Sequence, residues 1–284
     1  ARKLTGKFKD LGDGFQVLRI LPHLDARSVG PFVFVDHFGP ATLRTGDELS
    51  VRPHPHIGLS TITYLYDGLV RHRDSLGTEL TILPGEVNWM TAGRSIVHSE
   101  HSLLDAAHPQ LEGIQTWVAL PVEHEETEPA FDHYTAAAIP EISGDNWQLR
   151  VIAGKLMGIA SPVKTHSPLF YADLSTTAAT EMAIDFPAGQ DAALYVAKGS
   201  FSVADLTAEV GSMIVLEPGS QIKIQSHSAA RAVLLGGEKL SEPRHLWWNF
   251  VSSSKERIEV AKNAWKADAM GKVAGETDRI PLPE

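Results

Sequence analysis

The sequence predicts an all-β protein, two copies of one β-fold followed by a C-terminal helix. Short runs rich in Val, Ile, Leu, Thr and Tyr recur along the chain, broken at close intervals by Gly, Pro and Asp. Many short strands with regular turn signals argue for sandwiches or barrels. The pattern then repeats: "TYLYDG" followed by "LPGEVNWMTAG" resembles "LYVAKG" followed by "LEPGSQIKIQS". This pairs Gly68 with Gly199 and Pro84–Gly85 with Pro218–Gly219, as two copies of one fold would. Near the end the periodicity becomes helical.

Taken in order, "FQVLRILP", "PFVFVDHFG", "LSTITYLYDG", "LTILPG" and "IQTWVALP" read as strands of the first copy. The acidic, proline-bearing stretch "PVEHEETEPAFDHYTAAAIPE" reads as a linker, which sets a boundary near residue 135 and domains of 1–135 and 136–284. "LFYADLS", "AALYVAKG" and "SMIVLEPG" supply strands of the second copy. In "SSSKERIEVAKNAWKADA", Ser253 precedes Glu256 by three residues, the spacing of a capping box. Ile258, Ala261 and Trp265 then share one helical face, suited to packing on a barrel, with the aromatics of "WWNFVSSS" as the dock.

Composition removes several classes of function. The chain has 284 residues, 43% of them hydrophobic, with a mean hydropathy of −0.09. No apolar run approaches the ~18 residues that a membrane-spanning helix needs. "ARKLTGKFKD" at the start lacks the apolar core of a signal peptide, and a cytoplasmic location is expected. A net charge of −10 with no basic stripe argues against direct nucleic-acid binding. The chain has no cysteine, so any metal must rest on His, Asp or Glu. No Ser-His-Asp arrangement, phosphate-cradling glycine loop or dinucleotide fingerprint is present.

Two pairs of residues carry the chemistry. In "VRPHPHIGLS", Pro55 disfavours a helix, and on a strand His54 and His56 share a face. In "GRSIVHSE", His98 and Glu100 are spaced the same way. Strands lie about 4.8 Å apart, so two neighbours inside a barrel bring all four side chains within reach of one ion. Three imidazoles and a carboxylate suit a divalent first-row metal: iron, manganese, cobalt, nickel, copper or zinc. His101 would face away on the same strand and reads as a surface or loop residue. In the second copy, alignment on the glycines puts Asp185 and Pro187 where His54 and His56 stand. Alignment on the Pro-Gly pairs puts Ala232 and Leu234 opposite His98 and Glu100, so the quartet belongs to the first copy alone. His37 reads as structural, and "RHRD" at 71–74 as a solvated turn. Trp89, Met90, Gln115 and Trp117 read first as core, with Gln115 and Trp117 alternating onto one face that could edge a pocket.

"HPHIGLSTITYLYDG", "LPGEVNWMTAGRSIVHSE" and "EPRHLWWNFVSSSKERIEVAKNAWK", with "PFVFVDHFGP", "IQTWVALP" and the final "IPLP", closely resemble the pirin family of the cupin superfamily. The resemblance runs over nearly the whole chain. It implies a bicupin, two jelly-roll β-barrels, with one metal in the first, most often iron. The family's three His and one Glu fall on His54, His56, His98 and Glu100. One departure is Ser60, where many pirins carry a glutamate that is not a ligand.

The resemblance implies one of two roles. Bacterial relatives resemble quercetin 2,3-dioxygenases, which open a flavonol ring with O2 and release carbon monoxide. In that role Glu100 would be ligand and general base for the flavonol 3-hydroxyl, with Trp89, Met90 and Gln115 lining the substrate pocket. The alternative is a non-enzymatic, metal- or redox-dependent regulator acting through a protein partner.

Overall fold

The computed structural model describes residues 1–10, 16–42, 50–103, 108–216 and 221–283. Eight strands of the first half are β1 (Phe32–Thr42), β2 (Ser50–His56), β3 (Leu59–Asp67), β4 (Leu69–Asp74), β5 (Glu79–Ile82), β6 (Val87–Thr91), β7 (Ile96–Leu103) and β8 (Gln110–Ala119). They pair as β1-β8-β3-β6 in one sheet and β2-β7-β4-β5 in the other. Eight strands of the second half follow: β9 (Leu169–Thr176), β10 (Thr180–Asp185), β11 (Asp191–Lys198), β12 (Ser200–Val203), β13 (Leu206–Glu209), β14 (Ser212–Leu216), β15 (Gln221–Ser226) and β16 (Ala230–Gly237). Their orders are β9-β16-β11-β14 and β10-β15-β12-β13. Strand for strand, this is one topology twice, the interleaved pair of four-stranded sheets that defines a jelly roll.

The repeat visible in the sequence is therefore real, and one of its two anchors is correctly placed. Gly68 and Gly199 both make the turn from the third strand of a barrel to the fourth, at φ of +87° and +69°. That left-handed conformation is open to glycine at little cost. The Pro-Gly pairing slips by one strand. Pro84–Gly85 joins the fifth strand to the sixth, and its counterpart by strand order is Val210–Gly211, with φ of +78° at Gly85 and +82° at Gly211. Pro218 and Gly219 lie outside the described residues. The same slip moved the expected counterparts of His98 and Glu100: Ala232 and Leu234 are on β16, whereas the strand equivalent to β7 is β15. Its residues Ile222 and Ile224 pack with Met182 and Ile184 of β10 in an apolar core with Phe170, Leu194 and Phe201. That interior has no ligand set among the described residues.

The chain forms two compact units, and neither is contiguous in sequence. One holds residues 1–9, 17–37 and 134–239; the other holds 10–16, 38–133 and 240–284. This differs from a single cut near residue 135, and backbone pairing gives the reason. Arg2–Thr5 adds antiparallel to β14, and Gly6 N–H donates to Gly211 O at 2.8 Å, so the N-terminal segment belongs with the second barrel. The C-terminal segment belongs with the first. The presumed linker is also structured, since its strand Ala130–Tyr134 extends the sheet beside β6.

The helix α1 (Lys255–Lys266) buries Ile258, Ala261 and Trp265, the face its periodicity marks. They cluster with Ile57, Val97, Phe250, Met270 and Val273. Its cap is Ser254 rather than Ser253: Ser254 Oγ accepts from Arg257 N–H at 3.2 Å. Ser253 is held instead by the buried Glu125 carboxylate, which accepts its backbone N–H and its hydroxyl, and which also faces Arg244 Nε at 2.8 Å. No helix among the described residues is long and apolar enough to cross a membrane.

Trp265 is 2% exposed, and its indole N–H donates to Ile280 O at 3.0 Å. Truncation there empties the centre of the helix dock. Trp265→Ala is expected to lower stability by about 3–5 kcal/mol, read as a shifted midpoint in urea unfolding.

Candidate metal centre

β2 is the edge strand of its sheet, which is why it tolerates Pro55 in its middle. It pairs antiparallel with β7 through His56–Ile96, Pro55–Val97 and His54–His98. Residues directly opposite in such a pair point to the same face. His54, His56 and His98 are thus brought together, with ring centroids 4.3–5.0 Å apart and exposures of 6%, 1% and 1%. The register between β2 and β7 shifts between His98 and Glu100, while β7 and β4 stay in step. That step places Glu100 opposite His72, and His98 opposite Asp74.

Two groups of candidate ligand atoms, each within 4.8 Å, follow from this register. One is His54, His56 and His98; the other is His72, His98 and Glu100. Glu100 therefore joins the cluster through His98 and His72. The sequence suggests a solvated turn at His72, and the structure corrects this. His72 lies within β4, 3% exposed, with Nε2 3.1 Å from Asp74 Oδ2 and its ring stacked on Phe131 at 4.4 Å. The signal was present in "LVRHRD": Val70, His72 and Asp74 alternate with Leu69, Arg71 and Arg73 at the period of a strand, and the first set is the buried one.

The protonation of the cluster follows from burial. His54 Nδ1–H donates to Arg52 O at 2.8 Å and His56 Nδ1–H to Asn249 O at 3.2 Å, which leaves each Nε2 as a bare lone pair. Burial pushes the His54 pKa down to about 4, against the opposing bond to the Arg52 carbonyl and with help from His72. Burial first, and neighbouring imidazoles second, put His56 and His98 well below the ordinary histidine range. His56 Nε2 lies 3.1 Å from His98 Nε2, and His98 Nδ1 is buried with no hydrogen-bond partner among the described residues. Neutral imidazoles with convergent nitrogens are the donor set of a metal, and two nitrogens at that spacing suit bonds of roughly 2.0–2.1 Å to one ion. The buried His54, His56 and His98 can hold a metal ion.

Glu100 is partly buried. Burial raises its pKa, opposed by His72, the Thr63 hydroxyl and His101. Thr63 Oγ lies 3.0 Å from Glu100 Oε1 and 2.8 Å from Gln115 Oε1. A hydroxyl carries one proton, so Thr63 donates to one of these acceptors at a time.

The ladder β6-β3-β8 sorts the remaining expected residues. Thr63 pairs with Gln115 and Asn88, and Thr61 with Trp117 and Met90. Gln115, Met90 and Trp117 thus share the face of Thr63, and the Trp117 ring meets the His56 ring edge-on at 5.1 Å. Trp89 pairs with Ile62 and turns to the opposite face, so its expected place in the pocket is corrected to the core. Ser60 also lies on that opposite face, bonded to Thr91 Oγ at 3.1 Å, which keeps the departure at Ser60 out of the ligand cluster. His37 Nδ1 lies 2.7 Å from Tyr195 OH, a structural contact. His101 and Ser99 occupy the outer face of β7, both bonded to the Glu276 carboxylate.

For the metal-free protein, depressed histidine pKa values have a definite sign. Between pH 6.5 and about 4 the unfolded chain binds protons that folded His54 refuses, so stability present at neutral pH is lost on acidification. Each such histidine contributes up to about 1.4 kcal/mol per pH unit. Urea unfolding across this window is expected to show the loss in wild type, reduced when His54, His56 and His98 are all replaced by Asn.

Comparison with known proteins agrees with the fold. The pirin family model matches residues 14–118, and the model of the pirin C-terminal cupin domain matches 171–271. A pirin-like protein of Caulobacter vibrioides is 44% identical over 283 residues, 97% of this chain and 96% of its own. A crystal structure of a quercetin 2,3-dioxygenase from Acinetobacter baumannii superposes with a TM-score of 0.94 at 32% identity, covering 100% of this chain and 95% of that one. A bacterial pirin of Escherichia coli, solved in complex with nickel(II), shares the fold at 16% identity and a TM-score of 0.65, over 84% and 99% of the two chains. With two jelly rolls in the same strand order and both family models matched, the chain belongs to the pirin family of bicupin proteins.

Proposed function

We propose that the chain is a metal-dependent dioxygenase that opens a flavonol such as quercetin with O2 and releases carbon monoxide. His54, His56, His98 and Glu100 would hold one divalent ion, iron by the family's habit. The observation that carries the reading is the pair of imidazole Nε2 atoms 3.1 Å apart in a buried, neutral cluster. It is supported by the likeness, over the full chain, to a solved quercetin 2,3-dioxygenase.

When bound, the ion supplies a Lewis acid that lowers the pKa of a hydroxyl beside it. The chain's residues would do the rest. Glu100 would take the proton of the flavonol 3-hydroxyl, a task suited to a carboxylate whose burial already favours its protonated form. Thr63 would accommodate that change by turning its hydroxyl from Glu100 Oε1 to Gln115 Oε1, both within hydrogen-bond reach. Trp117 and Met90, on the face of Thr61, would offer apolar surface to the flat rings.

Aerobic incubation of iron-loaded protein with quercetin is expected to bleach the flavonol absorbance and release carbon monoxide. His56→Ala should lose its metal and most of this activity. Bleaching no faster than in His56→Ala, across iron, manganese, cobalt, nickel and copper, would sink the proposal.

A further inference from the structure

We propose that Asn88 is a substrate-binding residue of this site, donating from its carboxamide to an oxygen of the metal-bound flavonol. The inference rests on the dioxygenase reading and adds a second point of attachment to it.

The starting observation is a local conflict in the sequence. In β6, "VNWMT", asparagine stands among residues suited to a strand, and asparagine is depleted in strands. It is 3% exposed, so the conflict is not relieved by solvent. Departures of this kind from local preference concentrate at functional sites.

The register shows where the side chain stands. Asn88 is opposite Thr63, and on the other flank Thr63 is opposite Gln115. Asn88, Thr63 and Gln115 thus form a polar row across three strands, on one face of the sheet. Thr63 Oγ, in the middle of the row, touches Glu100 Oε1. Asn88 is therefore one strand away from the hydroxyl that contacts the carboxylate proposed to receive the substrate proton.

The two ends of the amide are not equivalent. Asn88 Oδ1 lies 2.7 Å from His133 Nδ1, and an amide oxygen can only accept, so His133 is the donor there. The other end, Nδ2, is buried without a hydrogen-bond partner among the described residues. A buried donor left unpaired is costly and calls for an explanation. His133 fixes which end of the amide is spent and which is free. A free N–H2 on the face of Thr63 and Gln115 selects a ligand with oxygen acceptors. A flavonol, with its carbonyl and hydroxyl oxygens around a flat ring, meets that demand while one oxygen stays on the ion.

The test is an anaerobic titration of quercetin into zinc-loaded protein, followed by the shift of the flavonol absorbance, with metal content measured alongside. Asn88→Asp keeps an acceptor for His133 and removes the N–H2; Asn88→Ala removes both ends. Both variants are expected to keep one metal per chain and to bind quercetin about tenfold more weakly, the usual worth of one lost hydrogen bond. His133→Phe, which leaves the N–H2 but frees its orientation, should fall between them and wild type. Unchanged affinity in both Asn88 variants overturns this inference and leaves the dioxygenase reading standing. Loss of metal from both also overturns it, by making Asn88 a support of the ion. Absence of binding by wild-type protein overturns the flavonol reading, and this inference with it.

Discussion

The antiparallel register between β2 and β7 is the constraint on which the site depends. A slip of one residue would send His98 and Glu100 to the outer face, because side chains alternate along a strand. The register is held from several directions. Pro55 and Val97, His54 and His98, and His56 and Ile96 meet across the ladder, and Ile57 and Val97 are pinned under the C-terminal helix. On the outer face, Glu276 accepts from Ser99 and His101 and lies 3.7 Å from Arg73 Nη1. Core packing and ion pairing therefore act together on the one strand pair that carries the imidazoles. The convergence of the imidazole nitrogens follows from this register, and their uncharged state follows from the burial it imposes.

The two barrels show what one topology permits. Their strand orders are the same, yet one interior is closed with Phe170, Leu194, Phe201 and Ile224, and the other is lined with histidine, threonine, asparagine and glutamine. A jelly roll needs its inward positions filled, but not with any particular chemistry. In the second barrel apolar burial stabilises the fold directly. In the first, part of that stabilisation gives way to polar groups, and Asn88 Nδ2 and His98 Nδ1 lack partners among the described residues.

Most of the fold was legible because its signals are local. Strand-forming runs, glycine turns and the helical face of Ile258, Ala261 and Trp265 are read within a few residues of one another. Gly68 and Gly199 were matched correctly for that reason. What was lost was non-local. The exchange of terminal segments between units depends on Arg2–Thr5 meeting β14, a pairing that no window of sequence contains. In the site, the i, i+2 spacing brought out His54, His56, His98 and Glu100, since period two is the property of a strand. His72 has the same spacing to Asp74, but the charged Arg71 and Arg73 that flank it suggest solvent. Those arginines face outward, as alternation requires. The side of Trp89 was illegible without the ladder, since a strand buried on both faces gives no alternation to read.

One detail of β2 reaches beyond the chemistry. Pro53 O accepts from Ile280 N–H at 2.9 Å, so its backbone faces the free side of the edge strand rather than β7. Pro53 and Pro55 carry no N–H to offer there, and the one carbonyl shown is already taken by the chain's own tail. An incoming strand from another molecule would find little to pair with along this edge. The segment that holds two of the three clustered imidazoles is therefore also a poor template for a foreign β-strand.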